Sequence, residues 1–220
     1  MTPSLKIDFV SDISCPWCAI GLAALEAALA KLQGELVAQL HFQPFELNPQ
    51  MPPGGQDITE HLAQNYGSTA QQQAQIRDSI RQRGVDVGFS FNPEGRGRIY
   101  NTFDAHRLLH WAALEGTEKQ TALKKALLVA CHSEGQNMES PEVLLRAVEQ
   151  AGLDPTRAQA ILTSDEFSVE VREREAFYTG QGIHSVPAVV INDRHLISGG
   201  QPAAVFEQAL RQIAADAPGQ

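Results

Sequence analysis

Cys15 and Cys18, in the run Ser14-Cys15-Pro16-Trp17-Cys18, are the residues whose type and spacing point most directly to chemistry. Two thiols three residues apart on one helical face can close an internal bridge or pass a disulfide on through a mixed-disulfide intermediate. The run falls between a strand pattern and a helix pattern, which puts Cys15 at the helix N-terminus. Free backbone N–H groups and the helix dipole favour thiolate there, and thiolate is the species that attacks a disulfide. Cys15 therefore reads as the nucleophile and Cys18 as the resolving thiol. Pro16 fits the first helical turn, and Trp17 offers a broad apolar shield beside the sulfurs.

Other readings of the same residues remain open at this point. A C-x-x-C can be half of a zinc site, but Cys131-His132 is the only further candidate set and no second pair has comparably tight spacing. Two inert, buried thiols are the other alternative. Cys131 itself continues an apolar helical stretch, Val129-Ala130-Cys131, and reads as packing. With an odd total of three cysteines, a framework of structural disulfides is ruled out.

The elements that must position the pair follow from periodicity. Leu5, Ile7 and Phe9 alternate with polar residues as a first strand. Leu22, Leu25, Leu29 and Leu32 line one stripe of a helix that Gly34 can end. Ala38, Leu40 and Phe42 then give a second strand before Pro44. From about Asp57 to Gly182 the signals are helical. Asp57 with Glu60, Ser68 with Gln71 and Thr117 with Gln120 have capping-box spacing, while Ser140-Pro141 and Asp154-Pro155 place a cap before a proline. Ala188 to Ile191, a turn at Asn192-Asp193 and a return at His195 to Ser198 make a hairpin, and Pro202 opens a last helix. Pro187 stands at the start of the third strand, where proline is tolerated and where a cis bond would turn the chain sharply.

These patterns define an α/β fold, a thioredoxin-like mixed sheet with an inserted all-helical domain. The expected division is residues 1–50 with 165–220 for the discontinuous thioredoxin-like part and 51–164 for the insertion. A chain of 220 residues with 43% hydrophobic and 20% charged residues can bury a substantial core, and a net charge of -9 argues against a nucleic-acid partner. No stretch of about 18 apolar residues occurs to span a membrane. Met1 to Val10 does not read as a secretory signal, so with Met1 as the natural start the expected compartment is the cytoplasm.

Five ordered segments carry a resemblance to a known family: Ser11-Asp12-Ile13-Ser14-Cys15-Pro16-Trp17-Cys18-Ala19-Ile20-Gly21, Phe45-Glu46-Leu47-Asn48-Pro49 with Met51-Pro52-Pro53, Asn101-Thr102-Phe103-Asp104-Ala105-His106-Arg107, Val186-Pro187, and Ser198-Gly199-Gly200-Gln201-Pro202. Together they resemble the DsbA family of thioredoxin-fold proteins, and more narrowly its FrnE-like branch. The resemblance implies a cis Pro187 facing Cys15, with the Val186 backbone open to an extended substrate. It also implies that Asn101, Thr102 and His106 project from the insertion towards the site. On their own spacing, Asn101 with Asp104 equally fits a helix cap, and His106 with His110 a shared helix face.

The function this implies is thiol–disulfide exchange with protein or small-molecule thiols, with no cofactor beyond the Cys15–Cys18 disulfide, no metal, and glutathione as one substrate to consider. Periplasmic oxidants of the family carry histidine before the second cysteine; Trp17 stands there in this chain, removing a cation that would support the Cys15 thiolate. Related C-x-x-C proteins span roughly −120 to −270 mV, about 7 kcal/mol for two electrons, so the motif alone does not set the direction of electron flow. A reducing cytoplasm favours reductase or isomerase behaviour. Two further readings are a glutathione-dependent isomerase or transferase, of the 2-hydroxychromene-2-carboxylate isomerase or kappa-class type, and a noncatalytic redox-sensing module that binds client proteins.

Overall fold

The computed structural model describes residues 2–216. Its first unit is β1 (Ser4–Ser11), α1 (Pro16–Lys31) and β2 (Val37–Pro44). Leu5, Ile7 and Phe9 are wholly buried on one face of β1, but Asp8 and Val10 on the other are buried too, because β1 is a central strand covered on both faces. In α1, Leu22 and Leu25 are buried against the sheet. The helix stops at Lys31 with Leu32 as its cap, and Gly34, at φ 84°, turns the chain only afterwards. Leu32 N–H reaches the carbonyls of Ala28 and Leu29, so the last turn closes without needing a glycine.

A long segment separates β2 from the terminal hairpin. It holds β3 (Gln56–Asp57), α2 (Ile58–Tyr66), α3 (Ala70–Val87), β4 (Arg98–Ile99), α4 (Phe103–Glu115), α5 (Thr117–His132), α6 (Pro141–Gln150), α7 (Pro155–Leu162) and α8 (Ser168–Gly180). The insertion is thus helical apart from the short antiparallel ladder of β3 with β4. Three of the caps differ from the sequence pattern, Ser140 among them, which holds the cap position of α6 without a side-chain hydrogen bond. The capping box before α3 is Thr69 with Gln72, one residue beyond Ser68 and Gln71. At α5 the cap position is Gly116, and Gln120 is drawn away to another task described below. Asp57 and Asp154 do accept from backbone N–H groups at the starts of α2 and α7.

The chain returns as β5 (Ala188–Ile191) and β6 (His195–Ser198) and ends in α9 (Ala203–Asp216). Asn192 and Asp193 both take positive φ, 52° and 54°, the conformation a two-residue hairpin turn demands. The sheet order is β2-β1-β5-β6, with β1 parallel to β2 and antiparallel to β5. Phe9 pairs with Phe42 on one side and Val189 on the other, so one hydrophobic layer crosses three strands.

Two cores interlock where the sheet meets the insertion. One joins the sheet, α1 and α9 around Phe9, Leu25 and Phe206, and includes Leu128 of α5. The other lies among α4 to α7 and includes Ile13, from the loop that leads to Cys15. Gln120 ties them at the sheet edge: it accepts from Phe42 N–H at 3.0 Å and donates to the Phe42 carbonyl at 2.9 Å. A helical side chain thereby supplies both partners that a further strand would give β2.

Candidate active site

Cys15 occupies the cap position of α1 with extended backbone (φ -90°, ψ 114°), and Pro16 follows at the first helical position. Cys18 N–H donates to the Cys15 carbonyl at 3.1 Å, so the first turn holds both sulfurs at one helix end. Both are buried: Cys15 is 4% exposed and Cys18 0%, under half-buried Pro16 and Trp17.

The peptide bond between Val186 and Pro187 is cis. It brings the Val186 carbonyl 3.6 Å from the Cys15 sulfur, which donates its thiol proton to it. Two glycines allow this approach. A Cβ on Gly21 would lie 3.0 Å from Pro187 Cγ, and one on Gly200 would lie 3.0 Å from the Trp17 carbonyl oxygen. Gly199 N–H also donates to the Pro187 carbonyl at 2.8 Å. The Ser198–Pro202 segment is therefore a brace that seats Pro187 against α1.

The two thiols differ in charge preference. The Cys18 thiol, by hydrogen bonding to Cys15, is the first cause that pulls the Cys15 thiol below its ordinary range; burial opposes, and the amides of Cys18 and Trp17 add to the lowering. Cys18 is pushed well above that range by burial first and then by the neighbouring Cys15. The helix-end amides that the sequence points to do act, but the partner sulfur acts more strongly.

Beneath the loop lies a polar knot to which the insertion contributes Thr102 and His106. Asp12 accepts from Ser14 N–H (3.0 Å), Leu47 N–H (2.7 Å) and Thr102 Oγ1 (2.8 Å), with His106 Nε2 at 3.6 Å. Burial alone would raise the Asp12 carboxyl, but His106 and the two amides outweigh it and hold it below its ordinary value. Thr102 and His106 thus meet Asp12, two residues before Ser14. Asn101 turns elsewhere: it accepts from Phe103 N–H at 2.8 Å and donates to Glu46 at 3.3 Å. Its turn precedes α4, whose cap position belongs to Thr102. His106 and His110 share one side of α4 and border the same pocket beside β2, His106 buried near Asp12 and His110 half-buried against the Phe167 ring.

Arg96 has no counterpart in the sequence pattern, and Cys131 and His132 take a role other than metal ligation. Arg96 donates to the Ser14 carbonyl (2.6 Å), the Ser14 hydroxyl (3.3 Å) and the Cys131 sulfur (3.3 Å). His132 Nε2 donates to the Ile13 carbonyl at 2.9 Å, which leaves no lone pair on that nitrogen for a metal. Cys131 and His132 therefore serve the loop from below, and no cluster of three or more metal-ligating side chains occurs among the described residues. Asp12 was visible within a family-like segment, but Arg96 lies in a glycine-rich loop with no local signature.

A mixed sheet, a thiol pair at the start of α1 and a proline loop opposite define a thioredoxin-like domain. The chain belongs to the family of the DSBA-like thioredoxin domain, whose family model matches residues 6–211. It is similar to the "probable DsbA oxidoreductase" of Streptomyces coelicolor, with 30% identity and a TM-score of 0.90 over 98% of this chain and 92% of that one. Two structures share the fold at lower identity. A 2-hydroxychromene-2-carboxylate isomerase is 17% identical, with a TM-score of 0.69 over 97% of this chain and 100% of that one. The cytosolic disulfide reductase DsbM of Pseudomonas aeruginosa, solved with GSH, is 17% identical, with a TM-score of 0.61 over 94% of this chain and 99% of that one.

Proposed function

We propose that this chain is a thiol–disulfide oxidoreductase working through Cys15 and Cys18. The observation that carries the reading is the opposed pair of thiols at one helix end, Cys15 drawn towards thiolate and facing the Val186 carbonyl, Cys18 held as thiol behind it. In the reducing direction, the Cys15 thiolate attacks one sulfur of a substrate disulfide and the other leaves as thiolate. Cys18 then attacks the Cys15 sulfur, the Cys15–Cys18 bond forms, and the second substrate thiolate departs. The substrate disulfide gains two electrons that the dithiol loses. An extended peptide lying along the Val186 backbone would present its disulfide to Cys15, with Trp17 as apolar contact. Protein thiols and small thiols such as glutathione are the proposed partners, in a reducing compartment.

The test is reduction of insulin by the reduced protein, or oxidation of a reduced client by the oxidised one. Cys15→Ser is expected to abolish either, and Cys18→Ala to accumulate mixed disulfides through Cys15. Full turnover by Cys15→Ser, with no client captured by Cys18→Ala, would sink the proposal. Likeness to the 2-hydroxychromene-2-carboxylate isomerase favours one second reading, a glutathione-dependent isomerase. Activity on a small aromatic substrate that survives Cys18→Ser unchanged would select it, because such chemistry has no use for a resolving thiol.

A further inference from the structure

Lys124 and Lys125 sit side by side in α5 with opposite fates. Lys125 reaches solvent and pairs with Glu26 at 3.0 Å, whereas Lys124 is 0% exposed. The Lys124 ammonium has no hydrogen-bond partner among the described residues and lies 5.9 Å from the centre of the Phe42 ring. A buried, unpartnered cation is among the least favourable groups a core can hold, so an anion facing it has large leverage.

The geometry of α5 shows which groups it faces. Lys124, Leu128 and Cys131 share one side of the helix. Leu128 packs in the same core as Cys15 and Cys18. Cys131 meets Arg96, whose guanidinium also holds Ser14 of the active-site loop. That side of α5 therefore looks at the underside of the cysteine pair. The titratable groups around the ammonium are Cys18 and Cys15 at the start of α1, Asp12 in the loop before it, and Cys131 and His132 on α5 itself. Asp12 is already engaged by Ser14, Leu47 and Thr102, while Cys18, fully buried, must lose a proton before it can attack.

We propose that Lys124 takes up the proton of Cys18 when that thiol resolves a mixed disulfide on Cys15, and that its ammonium then holds the Cys18 thiolate inside the core. The inference rests on disulfide exchange at Cys15 and Cys18. In the step, Cys18–SH gives its proton to the neutral Lys124 amine and the thiolate attacks Cys15 Sγ of Cys15–S–S–R. The Cys15–Cys18 bond forms, and R–S⁻ leaves with the bonding electron pair and takes a proton from solvent. Burial first, against the push of Cys18, Asp12, Cys15 and Cys131, brings the Lys124 ammonium down to about 8, so part of the population is neutral near neutral pH. Once the sulfurs are joined, no thiolate remains to hold the charge and Lys124 returns its proton to solvent. Lys124 is a positioning residue, acting through Cys18 and never on the substrate.

Mixing reduced protein with glutathione disulfide separates formation of the Cys15 adduct from its resolution. Lys124→Met is expected to fold at least as stably as the native chain, because it removes an unpaired buried charge. It should form the adduct within about threefold of the native rate but resolve it at least about tenfold more slowly near pH 7, so that the adduct accumulates in the mass spectrum. On the native chain itself, the Lys124 side-chain carbon resonance should titrate near 8 when reduced and at lower pH once the disulfide has formed. Resolution by Lys124→Met at the native rate from about pH 6 to about 10, or a Lys124 titration unmoved by the redox state, overturns the role of Lys124 and leaves disulfide exchange standing. A native chain that forms no glutathione adduct, indistinguishable from Cys15→Ser, overturns disulfide exchange and this role together.

Discussion

Cys15 and Cys18 leave the same turn of α1 but are enclosed by different halves of the molecule. Cys15 looks towards the sheet, where the Val186 carbonyl from the loop before β5 stands 3.6 Å away. Cys18, wholly buried, looks inward, towards the face of α5 that carries Lys124. The Val186 carbonyl can come this close because Gly21 and Gly200 leave room for it, while Lys124 and Cys131, brought in by the insertion, lie behind the pair. The difference teaches that the helix-end amides favour charge on Cys15, and that burial and the neighbouring sulfur keep the proton on Cys18.

The largest expected effect belongs to the insertion half. Burial first, and then Arg96, lowers His132 from 6.5 to about 3. The unfolded chain takes up a proton near 6.5 that the folded chain refuses until about 3, so acidification favours unfolding across that interval. Stability, read from urea midpoints at a series of pH values, should fall by up to roughly 5 kcal/mol as pH drops through the window. His132→Gln, which retains a donor for the Ile13 carbonyl, should flatten that slope by about one proton. An unchanged slope would place the acid lability elsewhere and weaken the contrast between the halves.

A second measurement addresses the sulfurs directly. Near pH 7, iodoacetamide should modify Cys15 at least about a hundredfold faster than Cys18 or Cys131, whose thiols burial pushes up. Peptide mapping of partly alkylated protein reads the ratio, and equal rates at Cys15 and Cys18 would break the comparison outright. The smallest effect concerns the seam between the halves. Gln120→Ala leaves the buried Phe42 N–H and carbonyl without their partners and should cost about 2 kcal/mol. Loss of under about 0.5 kcal/mol would mean that the insertion is docked by apolar packing alone.

The hairpin was legible because its signal is local. An apolar β-branched run and a short return strand around Asn192-Asp193 specify their own turn, and the positive φ values there follow from residue type. The stripe of α1 was legible for the same reason, as was the place of Cys15 before Pro16. Gln120 shows the limit. Its spacing from Thr117 fits a capping box, yet the edge of β2 offers it two buried backbone groups, and satisfying those outweighs an exposed cap. Ser68 and Gln71 fail by one residue because Thr69 and Gln72 present the same chemistry at the same spacing. Asn101 carries a polar side chain that the family-like segment directs to the site, but its nearest partners are its own turn and Glu46.

The sequence by itself determined the four main strands, the first and last helices, the family and the presence of a thiol pair at a helix start, because periodicity, turn residues and motif spacing act over a few neighbouring positions. Only the tertiary structure decided how those sulfurs are charged and what stands behind them. Cys15 meets a carbonyl 171 positions away in the chain, and Lys124 and Lys125, alike in sequence, part into core and solvent according to which side of α5 each occupies. Desolvation and charge depend on everything packed within a few ångströms, and that set is assembled only when distant segments fold together.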